Sequence, residues 1–388
     1  MQQVIDRCNS AKQQYITLPG TVRAEHPETT LAELREKFTQ FGITRVANLT
    51  GLDNIGIPVY AAIRPNAKSL SVSQGKGTTH TLAKISAIME AIEIWHAEHL
   101  TPPITNGSYA ELASEHTLIH PAHLLNPQFV LPTIETQSMA WLEAVEVNSR
   151  QISLIPQALV SMDTTQVSTL SLAFATSTNG LASGNTLEEA LLHGLYEVIE
   201  RDCMARWQVG DSQTRSRSQI DISTIDDDGC QDLLASIQRA NYGVYVWDVS
   251  SQLGIPAFHC RIHDAAFYSG LPIFAGTGCH GNKAVALSRA ITEAIQSRVT
   301  VISGARDDLP ASYGASSGLT GAEYGPKDYR QCDDIALSGS FAGDIREVCQ
   351  RLTHAGFAQV LYHDCSKAQY AIPVVKVIVP GLAFNRVH

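Results

Sequence analysis

Glutamate side chains recur at one spacing in three separate segments of the sequence. When the segments are aligned on an alanine, each has a glutamate seven residues later and a glutamate or glutamine three residues beyond that. These side chains are Glu90 and Glu93, Glu197 and Glu200, and Glu293 and Gln296. Residues three apart share one face of a helix, so the members of each pair point the same way. Oxygen ligands of this kind suit Mg²⁺, Mn²⁺ or Ca²⁺ rather than zinc.

The three segments form a degenerate internal repeat, in which a turn of small residues precedes each predicted helix. They run over Gly75 to Glu93, Ser183 to Arg201, and His280 to Arg298. The aligned alanines and the small residues four positions later are Ala83 and Ala87, Ala190 and Gly194, and Ala286 and Ala290. We expect these small residues to let the three helices approach one another closely, so that the carboxylates and the amide converge.

Cationic side chains lie in or beside the same segments. Lys76 stands in a Gly-Lys-Gly turn, Arg201 follows Glu200, Arg289 precedes Glu293 by one helical turn, and Arg298 follows Gln296. Helix N-termini behind glycines add backbone N–H donors for phosphate. Metal ligands, cations and phosphate donors together predict a bound nucleoside triphosphate. The alternative is that such glutamates only form the solvated face of amphipathic helices, but three pairs in one register favour a site.

Helices and strands alternate along the sequence without separating into blocks, which predicts an α+β fold. A helix is predicted over Thr30 to Phe41, with Gly42 as its stop. Predicted strands run over Thr44 to Leu49, Pro58 to Ile63, Trp141 to Val147, Gly243 to Val249, Pro256 to Ile262, Gln359 to His363 and Pro373 to Val379. Asp226 to Gly229 is expected to be a solvated turn and Ser312 to Gly325 a loop.

Four other features each favour an ordinary structural role. Gly276-x-Gly278-x-x-Gly281 matches a dinucleotide fingerprint without its acidic partner, so these glycines are predicted to form the turn into the third helix. Gly314-x-Ser316-x-Gly318 matches a nucleophile elbow by letters alone. His193 lacks a second histidine for a zinc site, so packing or a place near the carboxylates is expected. Cys203 is expected to be a buried thiol.

Composition narrows the class of protein further. The 388 residues are 44% hydrophobic and 17% charged, with a net charge of −10, which excludes disorder and disfavours binding along nucleic-acid phosphates. The polar start, Met1 to Gln14, has no apolar core of a signal peptide, and Ile372 to Val379 is too short to span a bilayer. The eight cysteines form no CxxC pair. We therefore predict free thiols and a cytoplasmic location, without membrane or nucleic-acid partners.

The three repeats resemble the motifs of the YcaO family. Ser86 to Glu93 (SAIMEAIE) is similar to its SxxxExxE(R) motif, Asn185 to Arg201 (NTLEEALLHGLYEVIER) to its second glutamate-rich motif, and Ser288 to Arg298 (SRAITEAIQSR) to its ExxQ motif. The similarity runs from about Gly20 to the C-terminus. The runs ITRVANLTGLDNIGIPV and LSVSQGKG resemble the subgroup that is associated with TfuA proteins.

This resemblance implies a YcaO-type fold, with mixed β-sheets and three repeat-like helices around an ATP site. It also implies ATP-dependent activation of a backbone amide in a ribosomally made peptide. The amide oxygen attacks ATP, and phosphate later leaves the activated carbon. An internal Cys, Ser or Thr then gives an azoline, whereas external sulfide gives a thioamide. Such chemistry relies on positioning and charge neutralisation rather than on a protein nucleophile.

The resemblance also assigns residues by motif position. Those implied to hold Mg²⁺ are Glu90, Glu93, Glu197 and Glu200. Those implied to contact or frame ATP are Arg23, Lys76, Ser86, Glu189, Arg201, Arg289, Glu293, Gln296 and Arg298. Residues 1–67 are expected to form an N-terminal segment that contributes to the ATP site, and residues 68–388 the YcaO domain.

Two departures from the family pattern bear on the product. The arginine that usually ends the first motif is Ile94, and the C-terminus lacks the PxPxP tail of azole-forming members. Thioamide formation is therefore the leading expectation and azoline formation the alternative. With no spare length for a leader-binding domain, a separate TfuA-like or other protein is expected to deliver the substrate, and the family implies a homodimer. A scaffold that binds nucleotide or peptide without turnover is the alternative of another class.

Overall fold

Helices and strands alternate throughout the protein, as the sequence predicts for an α+β fold. The computed structural model describes residues 14–125, 131–166, 168–174, 176–264, 273–304 and 325–383. The strands are β1 Ile16–Leu18, β2 Thr21–Arg23, β3 Arg45–Asn48, β4 Val59–Ile63, β5 Val72–Lys76, β6 Thr105–Gly107, β7 Met139–Glu146, β8 Ile152–Pro156, β9 Leu181–Ser183, β10 Ile220–Asp221, β11 Tyr242–Asp248, β12 Ala257–Asp264, β13 Phe274–Cys279, β14 Lys327–Asp328, β15 Leu361–Asp364 and β16 Val374–Ile378.

Three of the α-helices are much longer than the others and follow strands β5, β9 and β13. The α-helices are α1 Pro27–Arg35, α2 His80–Glu98, α3 Tyr109–Leu112, α4 Thr169–Ala173, α5 Leu187–Val209, α6 Ser212–Arg217, α7 Asp228–Arg239, α8 Lys283–Ser303 and α9 Phe341–His354. The 3₁₀ helices are Phe38–Phe41, Thr50–Leu52, Pro121–Leu124, Gln157–Leu159, Ile222–Thr224 and Tyr329–Gln331. The long helices α2, α5 and α8 are those of the sequence repeat.

The strands form several small sheets. Two antiparallel sheets of three strands have the orders β3-β4-β5 and β11-β12-β13. The largest sheet has the order β6-β7-β15-β16-β9, with β8 also paired to β7. Short pairs β1-β2 and β10-β14 complete the described sheets. Each repeat helix is therefore preceded by a strand of a different sheet.

A polar capping residue starts each of the three repeat helices. The side chains of Thr79, Thr186 and Asn282 each accept a hydrogen bond from a backbone N–H three residues further on. Capping of this kind satisfies a donor that the first helical turn leaves without a partner. Each helix also packs in its own hydrophobic cluster. The repeat is thus a repeat of structure as well as of sequence.

The small residues of the repeat face strands rather than other helices, so the expectation about their partner was wrong. A Cβ at Gly75 of β5 would lie 2.0 Å from the backbone nitrogen of Ala87. A Cβ at Gly278 of β13 would lie 2.2 Å from the backbone oxygen of Ala286. Only glycine on the strand and alanine on the helix permit this approach. In these two repeats the close contact fixes the height of the helix over its strand.

Several local predictions are corrected by the structure. The predicted helix over Thr30 to Phe41 is α1 followed by a separate 3₁₀ turn, which ends at Gly42 with φ of 69°. Gly276 and Gly278 lie within β13, and Lys76 ends β5, so none of these is a turn residue. Asp226 to Gly229 is the start of α7 rather than a turn, because Asp227 caps the N–H of Cys230.

The remaining local predictions have mixed outcomes. The seven predicted strands all correspond to strands, with bounds that differ by at most two residues. Ser312 to Gly325 and the Gly314-x-Ser316-x-Gly318 match lie outside the described residues, apart from Gly325. Over the described ranges, no helix combines the length and apolar character that crossing a membrane requires.

Candidate functional site

The second polar residue of the pair in each repeat helix forms a hydrogen bond with the strand of another repeat. Glu93 of α2 accepts hydrogen bonds from Ser183 of β9, at 2.9 Å from its backbone N and 2.6 Å from its Oγ. Glu200 of α5 accepts from Thr277 Oγ1 of β13 at 2.8 Å. Gln296 of α8 donates to the carbonyl of Gln74 in β5 at 3.2 Å. The three repeats therefore close into a ring, with their polar side chains inside.

The glutamates one turn earlier bind mostly to the strand of their own repeat. Glu90 accepts from the backbone N–H of Gln74 at 2.9 Å. Glu293 accepts from the backbone N–H of Thr277 at 3.4 Å and from its hydroxyl at 3.3 Å. Glu197 occupies the same repeat position but has no such strand partner within the described residues. One carboxylate of the ring is therefore left without a hydrogen bond to its strand.

Two carboxylates on one side of the ring lack a full countercharge. Burial raises the pKa of Glu93 to about 8; the hydrogen bonds from Ser183 oppose this rise, and the nearby carboxylates of Glu197 and Glu90 add to it. Burial also raises the pKa of Glu197 to about 7, against the opposing charge of Arg201. Carboxylates that are buried together with like charges favour a bound cation.

The other side of the ring carries matched charges. Lys76 Nζ lies 2.7 Å from Glu293 Oε2. Although burial raises it, the cations of Lys76 and Arg201 lower the pKa of Glu293 to about 2. Burial lowers the pKa of Arg201, but the carboxylates of Glu200, Glu293 and Glu197 outweigh it and raise the pKa above its ordinary value. This side is held together by ion pairs of the protein itself.

Three of the predicted ATP cations surround one histidine. Arg289 Nη2 lies 3.2 Å from His193 Nε2. Burial first, and then the charges of Arg289, Arg23 and Lys76, hold the pKa of His193 well below its usual range. His193 is therefore a neutral side chain among cations, a setting that suits an anionic ligand. His193 lies near the carboxylates, which is one of the two places the sequence allowed for it.

A cavity of ≈ 180 Å³ opens at the N-terminus of α5. Asn185 lines it, donates to Glu189 Oε2 at 3.0 Å and accepts from Thr30 at 2.8 Å. Glu189 also lies 3.4 Å from Arg23 Nη1. Sequence reasoning missed Asn185, Ser183 and Thr277 as polar groups of the site. Their one shared signal is that each precedes a repeat helix by a few residues.

Two predicted ATP residues have other contacts in the structure. Arg298 is buried, lies 3.6 Å from Asp53 Oδ2 and donates to the Tyr242 hydroxyl at 2.7 Å. Its guanidinium also lies over the Tyr242 ring, at 4.5 Å from the centroid. Ser86 is half-buried on α2 and makes no side-chain hydrogen bond within the described residues. Arg298 thus stands one step behind the ring rather than in it.

The donor set fits Mg²⁺ better than a structural metal. Among the described residues, no three His, Cys, Asp or Glu side chains are grouped tightly enough to hold an ion by themselves. Glu90 and Glu197 nevertheless lie near enough to Glu93 to raise its pKa. Mg²⁺ takes few protein carboxylates and completes its shell with water and phosphate oxygens. Sparse carboxylates beside a cation cluster are consistent with that preference.

The cysteines contribute no reactive thiol to the described part of the site. Cys203 is 1% exposed, and burial raises the pKa of its thiol to about 12. All seven described cysteines are free and buried. Thiolates are the nucleophilic form of cysteine, and a raised pKa removes them. The expectation of a buried structural Cys203 is confirmed.

The chain belongs to the YcaO family. Residues 74–383 match the family of YcaO cyclodehydratases, which are described as ATP- and Mg²⁺-binding. An uncharacterised protein of Methanothermobacter thermautotrophicus is 32% identical, in an alignment that covers 93% of this chain and 94% of that protein. An uncharacterised protein in the tfuA 3' region of Rhizobium leguminosarum bv. trifolii is also 32% identical, covering 93% and 88% of the two chains.

Solved structures share the fold. The structure of YcaO from Methanopyrus kandleri bound with AMPPCP and Mg²⁺ matches with a TM-score of 0.72, at 20% identity, over 96% of this chain and 95% of that one. A heterocyclase in complex with substrate and cofactor matches with a TM-score of 0.73, at 21% identity, over 98% of this chain. This chain spans only 56% of that heterocyclase chain. The predicted YcaO-type α+β fold, the family and its cofactors ATP and Mg²⁺ are thereby confirmed.

Proposed function

We propose that this protein uses ATP to activate a backbone amide of a ribosomally made peptide, and that the product is a thioamide. The observation that carries the proposal is the closed ring of three repeats, with uncompensated carboxylates on one side and cations on the other. Phosphoryl transfer needs this division, because charge develops on phosphate oxygens while the metal and cations neutralise it. No buried thiol of the described chain is needed for such a reaction.

The ring gives each predicted residue a role. Glu90, Glu93, Glu197 and Glu200 would hold Mg²⁺, which when bound supplies charge neutralisation for the phosphates. Arg23, Lys76 and Arg289 would bind phosphate oxygens around the neutral His193. Arg201 would orient Glu197, Glu200 and Glu293. The residues assigned to framing the nucleotide are Ser86, Glu189, Gln296 and, through Asp53 and Tyr242, Arg298.

The N-terminal residues would complete this site. We propose that residues 1–67 contribute to the ATP site and that residues 68–388 form the YcaO domain. The contact between Arg23 and Glu189 supports a contribution of residues 1–67 to the ATP site, because it joins this segment to the start of α5. A cytoplasmic location and a homodimer stay predictions.

The choice of a thioamide rests on a relative rather than on the site. The R. leguminosarum relative is named for its place in the tfuA 3' region, which supports a TfuA-like partner for this chain as well. In this proposal the partner supplies sulfide and this protein supplies the activated amide. Sulfide sulfur forms a bond to the amide carbon, and the former amide oxygen departs with phosphate.

Azoline formation is the second candidate, and the resemblance to a heterocyclase structure favours it. The two products differ in mass. Ring closure by Cys, Ser or Thr removes water from the peptide, whereas thioamidation exchanges oxygen for sulfur. Intact mass of a co-expressed precursor peptide therefore separates them.

The decisive experiment combines purified components. We expect the protein with ATP and peptide alone to hydrolyse ATP slowly and to leave the peptide mass unchanged. Adding a TfuA-like partner and sulfide should give a thioamide, with its red-shifted ultraviolet absorbance. If the protein alone efficiently forms thiazolines on a Cys-containing peptide, the thioamide assignment is wrong and azoline formation takes its place. Absence of peptide-dependent phosphate release under every condition would favour a non-catalytic scaffold.

A further inference from the structure

One face of the sheet β11-β12-β13 carries polar and aromatic side chains that extend from Thr277 in the ring to residues outside it. Cross-strand pairing places Trp247 opposite His259, and His259 opposite Thr277. It also places Tyr245 opposite Arg261. The other face of the same strands is apolar and packs against α7 and α8. On the polar face Trp247 is buried in the hydrophobic cluster of α5, whereas Tyr245, Arg261 and His263 stay half-buried.

The outer end of this face forms an aromatic–arginine patch, which we define as Tyr245, His263, Arg261 and Arg215 over Trp207 and Trp247. The rings of Tyr245 and His263 are stacked, with centroids 4.9 Å apart and planes 8° apart. The Arg261 guanidinium lies 5.6 Å from the Trp247 ring centroid, and that of Arg215 lies 5.9 Å from the Trp207 centroid. Cations over tryptophan faces are attracted by the ring quadrupole.

The two guanidiniums of the patch have no acidic partner. Within the described residues, neither Arg215 nor Arg261 forms an ion pair with a carboxylate. Among the described residues, Arg261 donates its Nε to His259 at 3.0 Å, and Arg215 donates to the carbonyl of Gln208 at 2.7 Å. Burial, and then the charge of Arg215, lower the pKa of Arg261. Two like charges are thus held together in a chain whose net charge is −10.

This arrangement suits an acidic ligand. A guanidinium offers a planar set of donors that matches a carboxylate, and the four outer side chains of the patch are half-buried rather than sealed. The aromatic rings add apolar surface beside the cations. A polyanion such as nucleic acid is a poorer fit, because the whole chain is acidic and the patch holds only two free guanidinium groups.

The patch is continuous with the ATP site. Thr277, which binds Glu200 and Glu293, stands on the same sheet face as Arg261, one strand away and two residues along. Diagonal neighbours at this offset are about 7–8 Å apart. An extended peptide advances about 3.3 Å per residue, so a chain that enters the ring at Thr277 passes the patch within about four residues.

We propose that the aromatic–arginine patch binds an acidic side chain of the substrate peptide, within about four residues of the amide that is activated. The proposal rests on the proposed function for the identity of the ligand as a substrate. It names the substrate class more narrowly, as peptides with Asp or Glu close to the reacting position. Arg215 and Arg261 are specificity residues in this account, not catalytic ones.

Binding of synthetic peptides tests the proposal without nucleotide or turnover. The probes are two fluorescein-labelled decapeptides of Gly, Ser and Cys that differ only in three central residues, Glu in one and Gln in the other. By fluorescence anisotropy at low ionic strength, we expect the Glu peptide to bind roughly fivefold more tightly to the full chain. Salt should weaken the Glu peptide more than the Gln peptide.

Charge-matched variants identify the surface. R215Q/R261Q should remove the difference between the two peptides. R35Q/R239Q, which removes two exposed arginines elsewhere, should keep it. Equal binding of the Glu and Gln peptides by the unaltered protein would overturn the proposal whatever the variants do. A single-stranded oligonucleotide that binds to the same patch more tightly than the Glu peptide would also overturn it.

The outcome is separable from that of the proposed function. Peptide-independent ATP hydrolysis should be the same in R215Q/R261Q and in the unaltered protein, because neither arginine touches the ring. Preference for the Glu peptide without any peptide-dependent phosphate release would leave the patch supported and the amide-activation proposal refuted. Peptide-dependent phosphate release that is equal for the Glu and Gln peptides would support the amide-activation proposal and refute the role of the patch.

Discussion

Glu197 and Glu293 hold the same position in two of the three repeats, but their electrostatic surroundings are opposite. Lys76 lies 2.7 Å from Glu293, and the pKa of this carboxyl is lowered to about 2. Glu197 has no lysine or arginine within ion-pair distance among the described residues, and burial raises its pKa to about 7. The protein supplies a close countercharge on one side of the ring, and in the proposed function a bound cation supplies it on the other.

This difference indicates that equivalent glutamates of the repeat have different roles, one in ligand binding and the other in the stability of the fold. Equivalent helix positions meet different strands, because the ring closes β5, β9 and β13 around three helices of similar sequence. A carboxylate with a protein cation contributes to the folded structure, whereas a carboxylate without one contributes to ligand binding. The substitutions below test that division, in order of decreasing effect.

The largest effect is expected from neutralising two of the proposed Mg²⁺ ligands. Glu197→Gln and Glu200→Gln keep the shape of the side chain and remove a charge from the proposed Mg²⁺ shell. We expect peptide-dependent phosphate release to fall by at least about 100-fold in each variant. Glu188→Gln, on the same helix and without an ion pair within the described residues, is the control and should stay near normal. Near-normal release in both test variants would make these carboxylates a solvated helix face.

Removing the protein's own countercharge should have a smaller effect. Lys76→Met leaves Glu293 without its nearest cation, and we expect ATP affinity to fall about tenfold and stability by about 2 kcal/mol. Isothermal titration calorimetry and thermal unfolding measure the two effects. The double variant K76M/E293Q should regain part of the stability, because it leaves no unpaired charge. A Lys76→Met protein as stable as the unaltered one would show that the ion pair is incidental.

The stabilisation by this ion pair should also depend on pH. Because the folded-state pKa of Glu293 is lowered to about 2 from 4.5, its contribution is present above about pH 4.5 and is lost as the pH falls towards 2. The difference in melting temperature between the unaltered protein and Lys76→Met should therefore be largest above pH 5 and should shrink in acid. A difference that is constant with pH would assign the effect to packing.

Arg201 lies between the two sides, among the carboxylates of Glu197, Glu200 and Glu293. Arg201→Lys keeps the charge and loses the planar fork of donors. We expect ATP to bind about fivefold more weakly while the melting temperature stays within error, because the lysine still neutralises the carboxylates. Unchanged ATP affinity together with a lower melting temperature would show a purely structural role.

The smallest effect on nucleotide binding is expected at Arg298. Its contacts are with Asp53 and Tyr242, one step behind the ring. Arg298→Lys should lower stability by about 1 kcal/mol through the lost hydrogen bond to Tyr242, and should change ATP affinity by less than about twofold. A tenfold loss of ATP affinity would instead indicate that Arg298 contacts the nucleotide directly.

The local periodicity of the sequence determined the three repeat helices and the residues on their polar faces. The spacing of Glu90 and Glu93, and its two repeats, follows from the geometry of one helix turn, so the sequence alone predicts three helices and the side chains on their polar faces. The polar capping residue before each helix bonds to a backbone N–H three residues further on, so the sequence alone also indicates where each helix begins. The family motifs consist of residues that are close together in sequence, so the sequence alone also indicates the family and the function that it implies.

Tertiary structure decided which of these side chains meet. Lys76 and Glu293 are 217 residues apart in sequence, and Glu93 and Ser183 are 90 residues apart. These contacts exist only because the three repeats close into a ring. Helix periodicity contains no information on ring closure, so the sequence could not distinguish Glu197 from Glu293, place Arg298 beside Asp53, or reveal the patch on the sheet β11-β12-β13.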